Sequence, residues 1–367
     1  MSRTWLMMEK SPGAGSAPHV ARIESVGRRL PPTRLTTEEL MASTRHHTNI
    51  DLERLTGIHE RRVSTGDEDS LSLAAGAAAE CLARSHHGPE DLQVLVNSSI
   101  TKYRGGLSQW LEPATSLAIA RSIGATEAQT FDVSNACAGM LTGVFLVANR
   151  IRRGDISCGM VTSGEYISQL GQNAAKHIRN VLSPELASLT LGDAGAAVIL
   201  ERATAGEPGI EIAGFTTVSD HSRLCLAYPA HNDEGARMFT KSRAIHRIAI
   251  ADTPVLLQEA LDAADLSITD IDFVIPHQTS ARAIRKGMTE LGEVFGGLPR
   301  HPVVVTVDHY GNTASTTHFV ALVEELEAGA LEVGDRVALL ALASGLEIGV
   351  VLFTVDKGLV GLYGDGA

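Results

Sequence analysis

Apolar positions along the chain gather in two ways. Short, nearly unbroken runs such as "QVLVN" (93–97), "DFVIP" (272–276) and "RVALLALA" (336–343) are too short for helices of any length. They suit strands of a sheet that is covered on both faces, where no alternation with polar residues is needed. Between them lie longer stretches, among them "SLSLAAGAAAECLARSH" (70–86) and "TPVLLQEALDAADLS" (253–267), that read as helices. Small-residue runs, "ACAGM" at 136–140 and "NTAST" at 312–316, permit unusually close helix packing, as expected of helices sandwiched between two sheets.

The pattern repeats. "EDLQVLVNSSIT" in the first half follows one helical stretch, and "TDIDFVIPHQTS" in the second follows another, so that Asp91 corresponds to Asp270. Farther on, "FDVSNACAGMLTGVFLVANRIRRGD" is echoed by "TVDHYGNTASTTHFVALVEELEAGALEVGD", matching Asp132 to Asp308 and Asp155 to Asp335. The three offsets are 179, 176 and 180 residues. Each half then reads strand–helix–strand–helix–strand, which predicts a layered α/β fold of two pseudo-symmetric halves. The expected units are an N-terminal half at 21–203 and a C-terminal half at 204–357, divided at "ERATAGEPG". Residues 1–20 and 358–367 are expected to be loose.

Composition narrows the class. With 44% apolar and 20% charged residues over 367 positions, a globular fold with a large core is expected. A net charge of −12 argues against nucleic acid as a partner, and no apolar run has the length of a membrane span. Four cysteines (Cys81, Cys137, Cys158 and Cys225) are too few and too scattered for a disulfide framework or a zinc site. They fit a reducing cytoplasm.

Cys137 is the exception among them. It stands between the strand-like "FDV" and a small-residue helix, where unpaired N–H groups and the helix dipole favour thiolate and a backbone N–H can hold an oxyanion. The competing reading is a small core residue, which Cys81 and Cys158 fit. His277 closes the run "DFVIPHQTS", a poor way to fill a core and a good way to present an imidazole. Asn312 occupies the duplicated turn that Cys137 occupies in the first half, so the pseudo-symmetry brings the two turns together; an N-cap is its other reading. The adjacent pairs His46–His47 and His86–His87 are set aside because neighbours on a helix do not face one site. "GDAGAA" lacks a full phosphate-binding glycine pattern and reads as a turn before a buried strand.

Taken together, "DVSNACAGM", "PHQTS", "YGNTAS" and "ASGLEIG", with "LTGIHERRV" and "TLGDAGAAVIL", resemble the thiolase superfamily, and within it the ketoacyl-synthase-III-like condensing enzymes. The resemblance runs from about Ile23 to Asp356. It implies a five-layered αβαβα thiolase fold, a homodimer, and a Cys137–His277–Asn312 site that needs no metal or redox cofactor. Cys137 attacks an acyl thioester, the backbone N–H groups of Cys137 and Ser344 hold the oxyanion, and His277 and Asn312 stabilise the enolate of the second substrate. Acyl-CoA or an acyl carrier protein delivers the chain.

Two departures refine this. Glu112, in "QWLEPATS", stands where decarboxylating relatives carry an aromatic residue; a glutamate there, and the Ser-Gly form of "ASGLEIG", resemble the head-to-head condensing, OleA-type branch. That branch supplies the glutamate across the dimer as a base for an α-proton. The other reading of Glu112 is a capping carboxylate before a Pro-started helix. Asp51 replaces the tryptophan that often stacks on coenzyme A. Arg282, Arg285 and Lys286 form a basic cluster suited to an acidic carrier protein, or simply a solvated helix face. Three functions remain open: a condensing enzyme, decarboxylative or not; an acyltransferase to an alcohol or amine; and a non-catalytic partner subunit.

Overall fold

The computed structural model describes residues 5–7 and 19–364. Two five-stranded sheets carry the fold. The first comprises β1 (Ala21–Arg29), β2 (Val94–Asn97), β3 (Gln129–Asp132), β4 (Cys158–Glu165) and β5 (Ala194–Arg202), in the order β1–β5–β4–β2–β3. The second takes β6 (Ile210–Thr217), β7 (Phe273–Pro276), β8 (Arg336–Ala343) and β9 (Glu347–Thr354) in the order β6–β9–β8–β7. Strands β2 and β4 pair in parallel, as do β7 and β8, while β4–β5 and β8–β9 are antiparallel. The repeat is therefore a repeat of topology. It is incomplete at one place: where β3 lies beside β2, the second half has only an irregular segment, tied to β7 by the Val304 N–H donating to the Val274 carbonyl at 3.1 Å.

Three apolar clusters define the layers. Helices α1 (Ser70–Arg84) and α2 (Thr115–Ile123) cover the outer face of the first sheet, burying Ala77, Cys81 and Ile119 against Leu95, Met160 and Ile199. The outer face of the second is covered by α4 (Ser242–Ala264) and α5 (Ala281–Phe295). Between the sheets lie α3 (Gly139–Arg152) and α6 (Thr317–Glu327), each packed on both. Alternation along the strands is complete: in β5, Ala196, Val198 and Leu200 face the central layer, and Ala197 and Ile199 face outward. Both faces being buried explains why these strands read as unbroken apolar runs. The order is αβαβα, as expected from the repeat and the resemblance.

Glycines decide how closely α1 seats. A Cβ at Gly164 would fall 2.0 Å from the Ser70 carbonyl oxygen, and one at Gly195 would fall 2.1 Å from that of Leu73. The small-residue face of α1 thus rests on bare backbone.

The termini correct the expectation of looseness at 1–20 and 358–367 in part. Trp5–Met7 is an edge strand paired with β6, and the second sheet therefore borrows a strand from the start of the chain. Leu359, in the short helix Lys357–Gly361, is 1% exposed, and the Tyr363 hydroxyl donates to the Val26 carbonyl. Residues 1–4, 8–18 and 365–367 lie outside the described residues.

Gly164→Ala is expected to lower unfolding stability by about 1–3 kcal/mol, the usual cost of overpacking a tight contact. Urea denaturation of the two proteins checks this; an unchanged midpoint contradicts the close seating of α1.

Candidate active site

The first of the two duplicated turns is built from the strand end inward. Beyond β3, the Asp132 carboxylate accepts the Ser116 N–H at 2.9 Å and the Thr115 N–H at 3.2 Å, and pairs with Lys102 at 2.7 Å. Asn135 ties forward to α3, its Nδ2 donating to Thr142 Oγ1 at 2.8 Å. Ala136 then takes a left-handed φ of 44°, and the chain turns sharply into Cys137 and helix α3. In the second half Ala314 has φ 51° at the matching turn, which packs against the first. Two alanines in this sparsely populated region, at equivalent places, mark both turns as specially shaped.

Cys137 is half-buried in an apolar nest of Ile167, Leu170, Leu191 and Ala314. Ala236 and Met238, from the ribbon Cys225–Pro229/Ala236–Thr240, pack on the same nest. Burial pushes the thiol up, and charge on Cys225 and Glu165 pushes it further. Desolvation thus works against the expectation that the helix N-terminus favours thiolate. At rest the group is a thiol.

Asn312 is fixed at three points. Its backbone N–H donates to the Thr190 carbonyl at 2.8 Å, and its carbonyl accepts from Gly192 at 3.0 Å. Its side-chain Oδ1 accepts the Ala314 N–H at 2.9 Å. With the oxygen engaged, the amide NH₂ is the end left to donate. The N-cap reading fails, because Thr313 stands at the N-cap of the helical turn Ala314–Thr316 and the Asn312 bond closes a turn just before it. The donor reading stays open.

His277 follows β7 and is 6% exposed. Its N–H donates to the Leu340 carbonyl at 2.8 Å, and the imidazole of His318 lies behind it, ring centroids 6.1 Å apart. Burial, followed by the charge of His318, holds the His277 pKa down at about 3, and burial holds His318 at about 4. Both rings are therefore neutral near pH 7. The adjacent Gln278, 1% exposed, locks the loop by donating to the Pro276 and Val304 carbonyls and accepting from the Thr306 and Val307 N–H groups. His277 lines a cleft of about 150 Å³, open to solvent, whose walls come from α4, α5 and β8 and include His246, Thr279, Ile284, Met288 and Leu342. Its walls are mostly apolar with a few polar groups, the character of a small-molecule site.

A buried carboxylate missed in the sequence completes the centre. Glu165, at the end of β4, is 0% exposed and its pKa is pushed up to about 7 by burial. Ser315 donates to it at 2.5 Å, Ser163 at 3.0 Å, and the Ile100 N–H at 3.1 Å. Ser163 and Ser315 also meet at 2.7 Å, so a continuous hydrogen-bonded chain joins the two halves behind the two turns. Only its charge and strand-end place could have drawn attention to it.

Other expected residues fall as follows. Ser344 stands in the turn between β8 and β9, and β8 packs on the Cys137 turn. Glu112 is exposed, next to Leu111 at 76% exposure and an exposed Pro113, so within one chain it has no apolar surroundings. Arg282, Arg285 and Lys286 share the exposed face of α5; Arg282 donates to the Arg54 carbonyl at 2.7 Å and Lys286 pairs with Glu290 at 3.5 Å. Asp51 caps the helix Leu52–Thr56 by accepting the Arg54 N–H. In "GDAGAA", Asp193 precedes the buried β5 and accepts from Ser64, Ile167 and Ser168, so its role is a structural hub. His86 and His87 lie beyond the end of α1 rather than on it, with ring centroids 4.2 Å apart, and so do share a direction.

Comparison with known proteins agrees with this geometry. Residues 131–221 match the family model described as 3-oxoacyl-[acyl-carrier-protein (ACP)] synthase III, and residues 261–355 match its C-terminal model. Together these segments make up just over half of the chain. The chain is 29% identical over 325 residues to a beta-ketoacyl-[acyl-carrier-protein] synthase III of Symbiobacterium thermophilum, covering 83% of this chain and 92% of that protein. Among solved structures, a variant of Xanthomonas campestris OleA superposes with a TM-score of 0.79 at 23% identity, covering 92% of this chain and 97% of that one. The 3-oxoacyl-[acyl-carrier-protein] synthase III of Aquifex aeolicus superposes at 0.77 and 24% identity, covering 91% and 100%. At those identities the structural likeness speaks to the fold.

The pKa values of His277 and His318 are depressed from 6.5 to about 3 and about 4, so neither ring gains a proton between pH 8 and pH 5. An unfolded chain would protonate both in that range. NMR of the histidine-labelled protein should show two imidazoles with constant shifts across it; if every resonance titrates near 6.5, the two rings are not buried as described.

Proposed function

For a chain that belongs to the 3-oxoacyl-[acyl-carrier-protein] synthase III family, the acyl-transferring condensing enzymes of the thiolase superfamily, we propose that Cys137, His277 and Asn312 join two acyl chains. The observation that carries this is the pairing of the duplicated turns, one ending in a thiol and the other in an amide whose oxygen is already engaged. The Cys137 thiol adds to the carbonyl of an acyl thioester, with the N–H groups of Cys137 and Ser344 as oxyanion donors. The old C–S bond breaks, the carrier thiol departs with the proton, and the acyl group stays on Cys137. A second thioester enters by the cleft beside His277. Neutral His277 and the Asn312 NH₂ then donate to its carbonyl, so that negative charge developing on that oxygen is stabilised without a cation. The enolate carbon attacks the acyl-Cys137 carbonyl, a C–C bond forms, and the Cys137 sulfur is released.

The finer reading is that the enolate arises by loss of an α-proton rather than of carbon dioxide, with Glu112 as the base. Exposure of Glu112 in a single chain agrees with delivery to a second subunit. The loop bearing it is clipped to the open edge strand β3 by Lys102–Asp132, and Leu111, Leu117 and Phe131 are exposed around it. A second copy pairing at that edge would cover them and give Glu112 the apolar surroundings that raise a carboxylate's basicity. A decarboxylative reaction on a malonyl thioester is the second reading; it needs no base at Glu112. Arg282, Arg285 and Lys286 are the proposed docking face for an acyl carrier protein, complementary to an acidic partner. No helix among the described residues is long and apolar enough to cross a membrane.

Two experiments test this. On exposure to an acyl thioester, peptide mass spectrometry should find the adduct on Cys137, and Asn312→Ala should still acylate while condensing roughly a hundredfold more slowly, the scale of a lost oxyanion donor. An adduct that persists in Cys137→Ala sinks the assignment. For the finer reading, Glu112→Gln should abolish coupling of two plain acyl thioesters while the protein remains a dimer by sedimentation. If only malonyl thioesters are extended, the reaction is decarboxylative.

A further inference from the structure

Away from this centre, at the edge of the first sheet, three potential ligands converge. His86 and His87 follow the end of α1, and Glu201 lies near the end of β5; one donor atom from each lies within 4.8 Å of the other two. The Nε2 atoms of His86 and His87 stand 3.3 Å and 2.7 Å from the same oxygen, Glu201 Oε2. The other oxygen, Oε1, is occupied by Arg22 at 2.5 Å, which leaves Oε2 to the histidines.

Nδ1 of His86 is 3.0 Å from Glu24 Oε1, and Nδ1 of His87 is 3.6 Å from Asp91 Oδ2, so a carboxylate stands behind each ring. With no ion between them, His87 Nε2 donates to Glu201 Oε2. A divalent ion would take the place of that proton and draw both Nε2 atoms and Oε2 to one point. The surroundings favour positive charge. Glu24 and Glu201 are 4% and 7% exposed, Asp91, Glu207 and Asp356 are close by, and Arg22 is the cation paired with this group. Carboxylate–histidine pairs backing a converging imidazole are how proteins orient metal ligands.

We infer that His86, His87 and Glu201 form a binding site for a divalent transition-metal ion of the zinc type. Two imidazoles and one carboxylate suit zinc or cobalt better than calcium or magnesium, which prefer oxygen alone. Donors at about 2.0–2.1 Å from a tetrahedral ion sit roughly 3.3 Å from one another, the spacing already found between His86 Nε2 and Glu201 Oε2; His87 Nε2, at 2.7 Å from the same oxygen, would draw back as the ion enters. His86, 60% exposed, leaves the fourth position open to water and gives the ion a way in. The site pins the loop after α1 to the edge of the sheet. It takes no part in the condensation.

The test uses the full-length protein, stripped with a chelator and titrated with ZnCl₂ by calorimetry and with CoCl₂ by absorption. One equivalent should bind saturably. His86→Gln and His87→Gln should each weaken it at least tenfold, and the cobalt spectrum should lack sulfur-to-metal charge transfer. Zinc should raise the melting temperature of the parent protein and of neither variant. Because Glu201 also holds Arg22, the two histidine variants decide, provided their metal-free circular dichroism and melting match the parent. No saturable uptake, uptake unchanged in both variants, or a cobalt–thiolate spectrum each overturns the proposal.

Discussion

Everything in this molecule depends on burying two helices between two sheets. Helices α3 and α6 are buried along most of their length: Met140, Leu141, Val144 and Val147 of one, and Phe319, Val320, Leu322 and Val323 of the other, are at most 1% exposed. Helices this apolar need apolar surface on more than one side. Two sheets, each shielded behind by its own helices, supply that surface. The helices must then begin where the sheets end, and their first turns become the floor of a site.

That placement sets the electrostatics. A thiol at the start of a helix is ordinarily acidified, but here the same packing that orders the helix strips water from the sulfur, and burial works against that effect. The imidazoles behave likewise, remaining neutral because charging them would cost desolvation. Some polar groups at the centre are paired with one another: Glu165, Ser163 and Ser315 form a hydrogen-bonded set that crosses from one half to the other, whereas Nδ1 of His277 and of His318 has no hydrogen-bond partner.

The architecture was legible because it is written twice. Asp91 and Asp270 do the same work: each carboxylate accepts the N–H three residues back, of Gly88 and Ser267, at 2.8 Å, closing a single helical turn before a strand. The match of Asp132 with Asp308 was looser, since the strand before Asp308 has dissolved into an irregular segment. Cys137, Asn312 and His277 stood out because their local settings are unusual for core residues. Glu165 could not, because its distinction is the absence of water, contributed by residues far off in sequence. Glu112 is the opposite case: its apolar neighbours Leu111 and Pro113 are exposed, so they do not shield it within one chain. The rule that neighbours on a helix diverge does not apply to His86 and His87, because the helix ends at Arg84.

The cleft beside His277 has one more implication. All of its walls, from His246 to Leu342, belong to the second half, whereas the thiol belongs to the first. A change at Met288 or Ile284 alters what can enter without touching a single neighbour in the nest of Cys137. The two halves can therefore vary separately: one copy of the repeat shapes the cleft while the other holds the thiol in place.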